Sequence, residues 1–93
     1  MNEAVFRQQA LEQGYLDIGF KDYPPQLDGP MHTHDFSVKL LVVSGAFSLA
    51  REDGATTFQP GETCELAAHV LHTERTGALA TRVLLAKKMA PAS

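Results

Sequence analysis

The sequence predicts an all-β domain, a small sandwich or barrel that is preceded by one short helix. Beyond Gly14, short runs of aliphatic and aromatic residues alternate with turn residues at intervals of roughly 8–12 positions, which is typical of small β-sandwiches and barrels. A helical pattern is confined to residues 3–13, where Val5, Phe6 and Ala10 share one stripe and Gly14 stands at the expected C-terminal stop.

Seven strands are expected in order after the helix. Turn residues separate them, and among these the Asp53-Gly54 pair between two apolar runs is a strong signal for a tight hairpin. Pro60-Gly61 predicts a further turn, and the tail from residue 90 to 93 is expected to fray. The predicted strands cover residues 15–20, 32–43, 47–51, 56–58, 63–67, 70–74 and 81–87.

The chain of 93 residues has room for one domain, which we expect to span residues 1–93 with its barrel over about 15–88. A net charge of −3 argues against a nucleic-acid partner or an acidic membrane surface, because both require a basic face. The longest apolar run, residues 40–43, is far too short to span a membrane. Without a secretion-signal pattern, and with Cys64 as its single cysteine, the chain is expected to be cytoplasmic.

The strand from Val38 to Val43 carries information about partners. Apart from Lys39 it is apolar on both alternating faces, so the outer-face residues Leu41 and Val43 require a cover. Two alternatives could cover these residues: the N-terminal segment of the same chain, or a second copy of the chain in a homodimer. The thin core of so short a chain favours the homodimer.

The four histidines are the residues best suited to chemistry. His32 and His34 stand two positions apart at the head of a predicted strand, so both rings face the same side and can share one metal ion. His72, in a later predicted strand, is placed to complete the site from across the barrel. His69 lies in the turn before that strand and is expected to be a surface histidine.

These residues resemble the two sequence motifs of the cupin superfamily. The first motif has the form G-x5-HxH-x3/4-E-x6-G, and His32-Thr33-His34 and Gly45 match its histidines and closing glycine. The second has the form G-x5-PxG-x2-H-x3-N, and Gly61 and His72 match its opening glycine and its histidine. The resemblance covers residues 29–88 and implies a small single-domain cupin, that is, a double-stranded β-helix or jelly-roll barrel.

Several motif positions depart from the cupin pattern. Val38 stands where the first motif has its glutamate, and Gln26 where it has its opening glycine, although Gly29 is close by. In the second motif, Ala67, His69 and Thr76 replace the proline, the glycine and the asparagine. The resemblance therefore implies a three-histidine site for one divalent transition metal, with iron, nickel, copper and zinc all suited to nitrogen ligands.

Glu74 lies two residues from His72 and would face the same side of a regular strand, so it is a candidate replacement carboxylate or base. The competing expectation, and the stronger one, is that Glu74 forms an ion pair with Arg75 or Arg82. Metal-binding histidines also need acceptors for their second ring nitrogen, and Asp35 and Glu65 are further candidates. Cys64 is expected to be a small core residue rather than a redox-sensitive or metal-adjacent thiol. Core is also favoured over pocket lining for Tyr23, Phe36, Phe47 and Phe58.

Three functions are compatible with this sequence. The first is a metal-dependent enzyme, for which the resemblance makes an oxygenase acting on a small acid, diketone or phenolic compound conceivable. The second is a non-catalytic cupin that binds or senses a small molecule. The third is a barrel that has lost its metal and acts through its surface, which the intact histidine trio argues against.

Overall fold

The computed structural model describes residues 1–89 and has the predicted order of elements, one helix followed by seven strands in that part of the chain. The expectation of frayed residues 90–93 lies outside the described residues. The elements are α1 (Glu3–Glu12), β1 (Leu16–Tyr23), β2 (Phe36–Ser44), β3 (Phe47–Arg51), β4 (Gly54–Phe58), β5 (Thr63–Leu66), β6 (Thr73–Thr76) and β7 (Thr81–Met89).

The strands form two antiparallel sheets that enclose a common core. The first sheet has the order β1-β7-β2-β5, and the second has the order β4-β3-β6. Alternate side chains of both sheets point inward, as the period of a strand requires. The all-β sandwich is therefore confirmed, and its core contains Tyr23, Val38, Leu40, Val42, Phe47, Leu49, Leu66 and Val83.

Two predicted strands are wrong at their N-terminal ends. Residues 32–35 and 70–72 precede β2 and β6 rather than belonging to them. Pairing there is reduced to an isolated bridge, in which the amides of His32 and His72 each donate to the carbonyl of the other, over 2.8 and 3.0 Å. A single bridge leaves the backbone extended, so the histidines keep a strand-like direction outside the regular ladder.

Helix α1 covers the outer face of the first sheet. Its buried residues Phe6 and Ala10 pack in a second apolar cluster with Leu41 and Leu84, and Val43 packs against the edge of that cluster. The cover that the apolar outer face requires is thus present within the chain. The observation that favoured a homodimer is explained without one, and the homodimer stays a prediction.

The ends of α1 are fixed by local contacts. The side chain of Asn2 accepts a hydrogen bond from the amide of Val5 at 2.8 Å, which is the usual N-cap arrangement. Beyond the last turn, Gly14 has a φ of +86°, a conformation that glycine adopts without strain. No helix in the described part of the chain has the length and apolarity that a bilayer crossing requires.

We expect Phe6→Ala to destabilise the domain by about 3–5 kcal/mol, because it removes a fully buried aromatic ring from the contact between α1 and the sheet. Urea unfolding followed by circular dichroism measures this change. Leu11→Ala, on the same helix at a side chain that is 56% exposed, is the matched control and should change stability by less than about 0.5 kcal/mol. Equal effects of the two variants would contradict the packing described for α1.

Candidate metal centre

Three imidazoles and one carboxylate converge at one end of the space between the sheets. Each of His32, His34, His72 and Glu74 contributes a potential ligand atom, and these atoms all lie within 4.8 Å of one another. The three rings form a nearly equilateral triangle, with centroids separated by 4.8, 4.5 and 4.8 Å. A group of this composition could hold a transition-metal ion.

The backbone around the site fixes where each histidine lies. The reciprocal bridge holds His32 against His72, and the carbonyl of His34 accepts a hydrogen bond from the amide of His69 at 2.7 Å. The ring of His34 also stacks on Phe36, with centroids 4.7 Å apart and planes only 6° from parallel. Glu74 is in β6, so it follows His72 by two positions and faces the same interior.

Backbone carbonyls set the tautomers of two of the rings. Nδ1 of His32 lies 2.8 Å from the carbonyl oxygen of Pro30, and Nδ1 of His72 lies 2.8 Å from that of Val70. A carbonyl oxygen can only accept, so Nδ1 carries the hydrogen in both rings. Each Nε2 of the neutral rings therefore presents a free lone pair, which is the form that binds metal.

Those lone pairs face the carboxylate of Glu74. The Nε2 atom of His32 lies 3.2 Å from Oε2 of Glu74, and the Nε2 atom of His72 lies 3.5 Å from Oε1. Two acceptors at such distances repel each other unless a proton or a metal ion lies between them. Protonating both rings would place two positive imidazoles, those of His32 and His72, only 4.5 Å apart. The side chain of His72 is only 1% exposed, so its charge would be poorly solvated. One divalent metal ion satisfies all of these atoms at once, so the residues fit a metal.

Two buried imidazole nitrogens without a hydrogen-bond partner also agree with a metal ion at this site. Within residues 1–89, Nε2 of His72 and Nδ1 of His34 are buried side-chain atoms without a hydrogen-bond partner. A buried polar atom without a partner is costly, and a water molecule or an ion at this position would remove that cost. Burial, followed by the neighbouring His72 and His32, lowers the pKa of His34, so this ring is neutral and free to bind metal at neutral pH.

The stronger sequence expectation for Glu74, an ion pair with an arginine, is wrong. Arg75 binds Asp28 at 2.9 Å, and Arg82 binds Asp22 at 2.8 Å, so both arginines are engaged on the surface. Glu74 instead lies beside the histidines. At the motif position where cupins carry a glutamate, Val38 is buried in the core. The carboxylate of this cluster thus comes from a different strand, β6 rather than β2.

Of the other candidate residues, His69 has the position expected from the sequence, whereas the side chains of Asp35 and Glu65 do not bind the histidine rings. The side chain of His69 is exposed, as predicted, with a left-handed φ of +68°. Asp35 is exposed, and Glu65 lies 3.4 Å from Lys39, so neither accepts from a histidine ring. The acceptors are the backbone carbonyls of Pro30 and Val70, which no side-chain pattern in the sequence could reveal.

A cavity of about 320 Å³ opens beside the cluster and is lined by both His34 and His72. Most of its wall is apolar and comes from the inner faces of the two sheets. Tyr23, Phe36 and Phe47 contribute to it, so these aromatic residues line a pocket as well as the core, whereas Phe58 packs against the core and borders a different cavity.

Two neutral polar groups also face this cavity. Burial raises the pKa of the Cys64 thiol to about 12 and raises the pKa of Tyr23 well above its usual range, with Glu74 adding to the effect on Tyr23. Both groups are therefore uncharged at neutral pH. Cys64 is half-buried and packs against the core cluster, as the sequence interpretation of a small core residue implies.

Lys21 and Lys87 line the cavity and were not identified from the sequence. Each stands two positions from another lining residue on its own strand, Lys21 from Tyr23 and Lys87 from Leu85. The inward alternation of β1 and β7 is the signal that could have found them.

Comparisons with solved structures identify the fold. A cupin-2 domain protein from Shewanella frigidimarina superposes with a TM-score of 0.66 at 18% identity, over 76% of this chain and 68% of that chain. A predicted oxalate decarboxylase from Thermotoga maritima superposes with a TM-score of 0.68 at 13% identity, over 89% of this chain and 74% of that chain. A structure of DMSP lyases gives a TM-score of 0.70 at 23% identity, over 78% of this chain but only 38% of that chain.

These similarities define the class of the protein. The chain has the fold of a small cupin domain, as its histidine spacing implied. No protein-family profile matches the chain. Likewise, no curated protein matches it in sequence. At these identities the likeness establishes the fold alone, and the function must be argued from the site.

Proposed function

We propose that this chain is a metal-binding cupin in which His32, His34 and His72 hold one divalent transition-metal ion and the adjoining cavity receives a small organic molecule. Iron, nickel, copper and zinc are the ions that a site of three imidazoles suits. The reaction class we favour is that of a metal-dependent oxygenase or a related enzyme. A homodimer and a cytoplasmic location remain part of the proposal.

One observation carries this proposal, namely the convergence of three imidazoles and one carboxylate whose potential ligand atoms all lie within 4.8 Å of one another. The carbonyl oxygens of Pro30 and Val70 accept hydrogen bonds from Nδ1 of His32 and His72, so in the neutral rings the Nε2 lone pairs face the carboxylate of Glu74. Two proteins of the same fold are described as enzymes, a predicted oxalate decarboxylase and DMSP lyases, which agrees with a catalytic use of such a barrel.

The residues of the chain have separate roles in this proposal. A bound divalent ion would supply Lewis-acid or redox chemistry to an oxygen atom of the ligand. Glu74 adds the fourth ligand atom and neutralises part of the charge, or holds a proton at its carboxylate if an ion leaves that oxygen free. The apolar wall of the cavity excludes water, and the Tyr23 hydroxyl, which keeps its hydrogen at neutral pH, can donate a hydrogen bond to the ligand.

A non-catalytic binding or sensing cupin is the alternative, and a specific observation favours it. Of the groups that line the cavity, Tyr23 and Cys64 are held in their neutral forms, so neither is a base at neutral pH. If Glu74 binds the ion, it is no longer free to accept a proton. Asp17 would then be the remaining carboxylate of the lining, and the pocket would suit binding better than acid–base catalysis.

The test is elemental analysis of protein that has been purified without a histidine tag or chelator, followed by thermal melts with and without EDTA. We expect close to one equivalent of a transition metal per chain. Removing it should lower the free energy of unfolding, because an ion that binds only the folded state stabilises by about 2.7 kcal/mol when its free concentration is 100-fold above Kd.

The result that overturns the metal site is a protein without metal whose melting temperature ignores added Fe²⁺, Ni²⁺, Cu²⁺ and Zn²⁺. If the metal is present, oxygen consumption with small acids, diketones and phenolic compounds separates the two functions. Ligand-dependent oxygen uptake supports the oxygenase. Ligand binding without turnover of any of these compounds supports the binding cupin.

A further inference from the structure

The charged groups of the cavity point to the class of molecule that it takes. The chain has four lysines, and two of them, Lys21 and Lys87, line the cavity. Among residues 1–89, the ammonium group of neither lysine has a carboxylate within 4 Å or a hydrogen-bond partner. The other two are engaged elsewhere: Lys39 with Gln13 and Glu65, and Lys88 with the carbonyl of Gln13.

Aromatic rings hold the two free lysines at the wall of the cavity. The Nζ atom of Lys21 lies 5.0 Å from the ring centroid of Tyr23, and that of Lys87 lies 4.9 Å from the ring centroid of Phe36. Both distances are in the range of cation–π contacts. Phe36 in turn stacks on His34, so the ring of Phe36 lies between the ammonium group of Lys87 and the histidine cluster.

The balance of charge around the metal-loaded cavity favours an anionic ligand. At neutral pH its charged lining side chains are two lysines and two carboxylates, those of Asp17 and Glu74, which cancel. A divalent ion on the histidines leaves the filled cavity with two uncompensated positive charges. In a pocket whose wall is mostly apolar, a positive charge of this size is costly unless the ligand neutralises it.

We infer that the cavity binds a small organic carboxylate, whose acid group lies toward Lys21 and Lys87 and whose apolar body packs against the aromatic and aliphatic wall. This inference rests on the proposed function for the identity of the site, but its lysines can be tested without turnover. The volume of about 320 Å³ suits a ligand the size of a substituted aromatic or branched aliphatic acid.

The test uses two probe pairs that differ in charge but scarcely in shape, benzoate with benzamide and hexanoate with hexanamide. Each probe is titrated into the zinc-loaded protein and into the EDTA-treated protein, with amide shifts in nuclear magnetic resonance as the readout. We expect each carboxylate to bind about ten-fold more tightly than its amide, with the largest shifts in β1, β2 and β7. Raising the salt concentration should weaken the carboxylates and leave the amides unchanged.

Lys87→Gln and Lys88→Gln form a matched pair, because they are neighbours on β7 and only Lys87 lines the cavity. Lys87→Gln should weaken carboxylate binding about five-fold, and Lys88→Gln should leave it unchanged. The double variant Lys21→Gln/Lys87→Gln should lose the preference for carboxylate over amide. Melting curves of the variants confirm that each is folded, and the salt dependence of the unaltered chain tests the same point without any substitution.

The outcomes distinguish this inference from the proposed function. Zinc binding at the histidines, combined with equal binding of carboxylate and amide or with no carboxylate binding at millimolar concentration, overturns the inference and leaves the metal site standing. Lysine-dependent carboxylate binding to a chain that takes up none of Fe²⁺, Ni²⁺, Cu²⁺ and Zn²⁺ supports the inference and overturns the metal site. An equal loss in Lys87→Gln and Lys88→Gln also overturns the inference, since only general surface charge would then be acting.

Discussion

His72→Ala is expected to abolish metal retention, reducing the metal content from near one equivalent per chain to near zero. The substitution removes a fully buried ring whose Nε2 is a buried atom of the proposed ligand set. It also leaves the carbonyl of Val70 without its ring donor, which costs about 1–3 kcal/mol in the metal-free protein. The decisive quantity is therefore the difference in melting temperature with and without zinc, which should vanish in the variant.

His69→Ala is the control for that experiment. His69 is only three residues from His72 and is also an imidazole, but its side chain is exposed and lies outside the cluster. Its backbone amide, which binds the carbonyl of His34, is retained in alanine. Metal content should thus be unchanged, although the left-handed φ of residue 69 makes a small loss of stability expected. Loss of metal in His69→Ala but not in His72→Ala would refute the assigned trio.

Glu74→Gln is expected to weaken metal binding by at least about 10-fold while leaving the size of the side chain unchanged. The amide cannot carry the negative charge that balances the ion, and its NH₂ group can instead donate to the lone pairs of His32 and His72. The metal-free protein should accordingly become no less stable, or slightly more stable. Titration of zinc by calorimetry, with melting curves of the metal-free variants, measures both effects.

Glu52→Gln controls for the loss of one negative charge from the chain. Glu52 is exposed in the turn between β3 and β4 and lies outside the cluster. Its replacement should change neither the zinc affinity nor the stability measurably. If Glu74→Gln behaves like Glu52→Gln, the carboxylate is a bystander and the three imidazoles alone hold the metal.

Glu74→Gln is expected to weaken metal binding but not to destabilise the metal-free protein, and this difference is informative about the site. A carboxylate that faced hydrogen-bond donors would stabilise the metal-free fold, and its replacement would be harmful without metal. A carboxylate that faces lone pairs contributes only once a cation is present. The sign of the stability change in the metal-free protein therefore tests the tautomers assigned to His32 and His72 independently of any enzymatic activity.

Much of the fold follows from local patterns in the sequence. The alternation of apolar residues and the turn pairs predict the order of the strands, and the short stripe with its glycine stop predicts α1 within one residue at its C-terminal end. The histidine trio is also accessible from sequence, because His32 and His34 lie two apart in extended backbone and the spacing to His72 resembles a known motif. These signals are local or depend on a motif spacing, so they do not depend on the bounds of β2 and β6, which were wrong by three or four residues.

Other features depend on contacts that no local pattern encodes. Whether α1 or a second chain covers Leu41 depends on how the helix docks, and the packing of Phe6 decides it. Glu74 could pair with an arginine or join the histidines, and the outcome depends on Asp28 and Asp22 engaging those arginines from distant segments.

The sequence by itself thus determined the class of fold, the order of its elements and the three imidazoles, since each follows from residues close together in the chain or from a motif spacing. Only the tertiary structure decided which carboxylate joins the cluster, which carbonyls fix the tautomers and which lysines stand free at the cavity. The physical reason is that charge balance and lone-pair direction depend on groups up to several tens of residues apart, and these meet only when both sheets have closed.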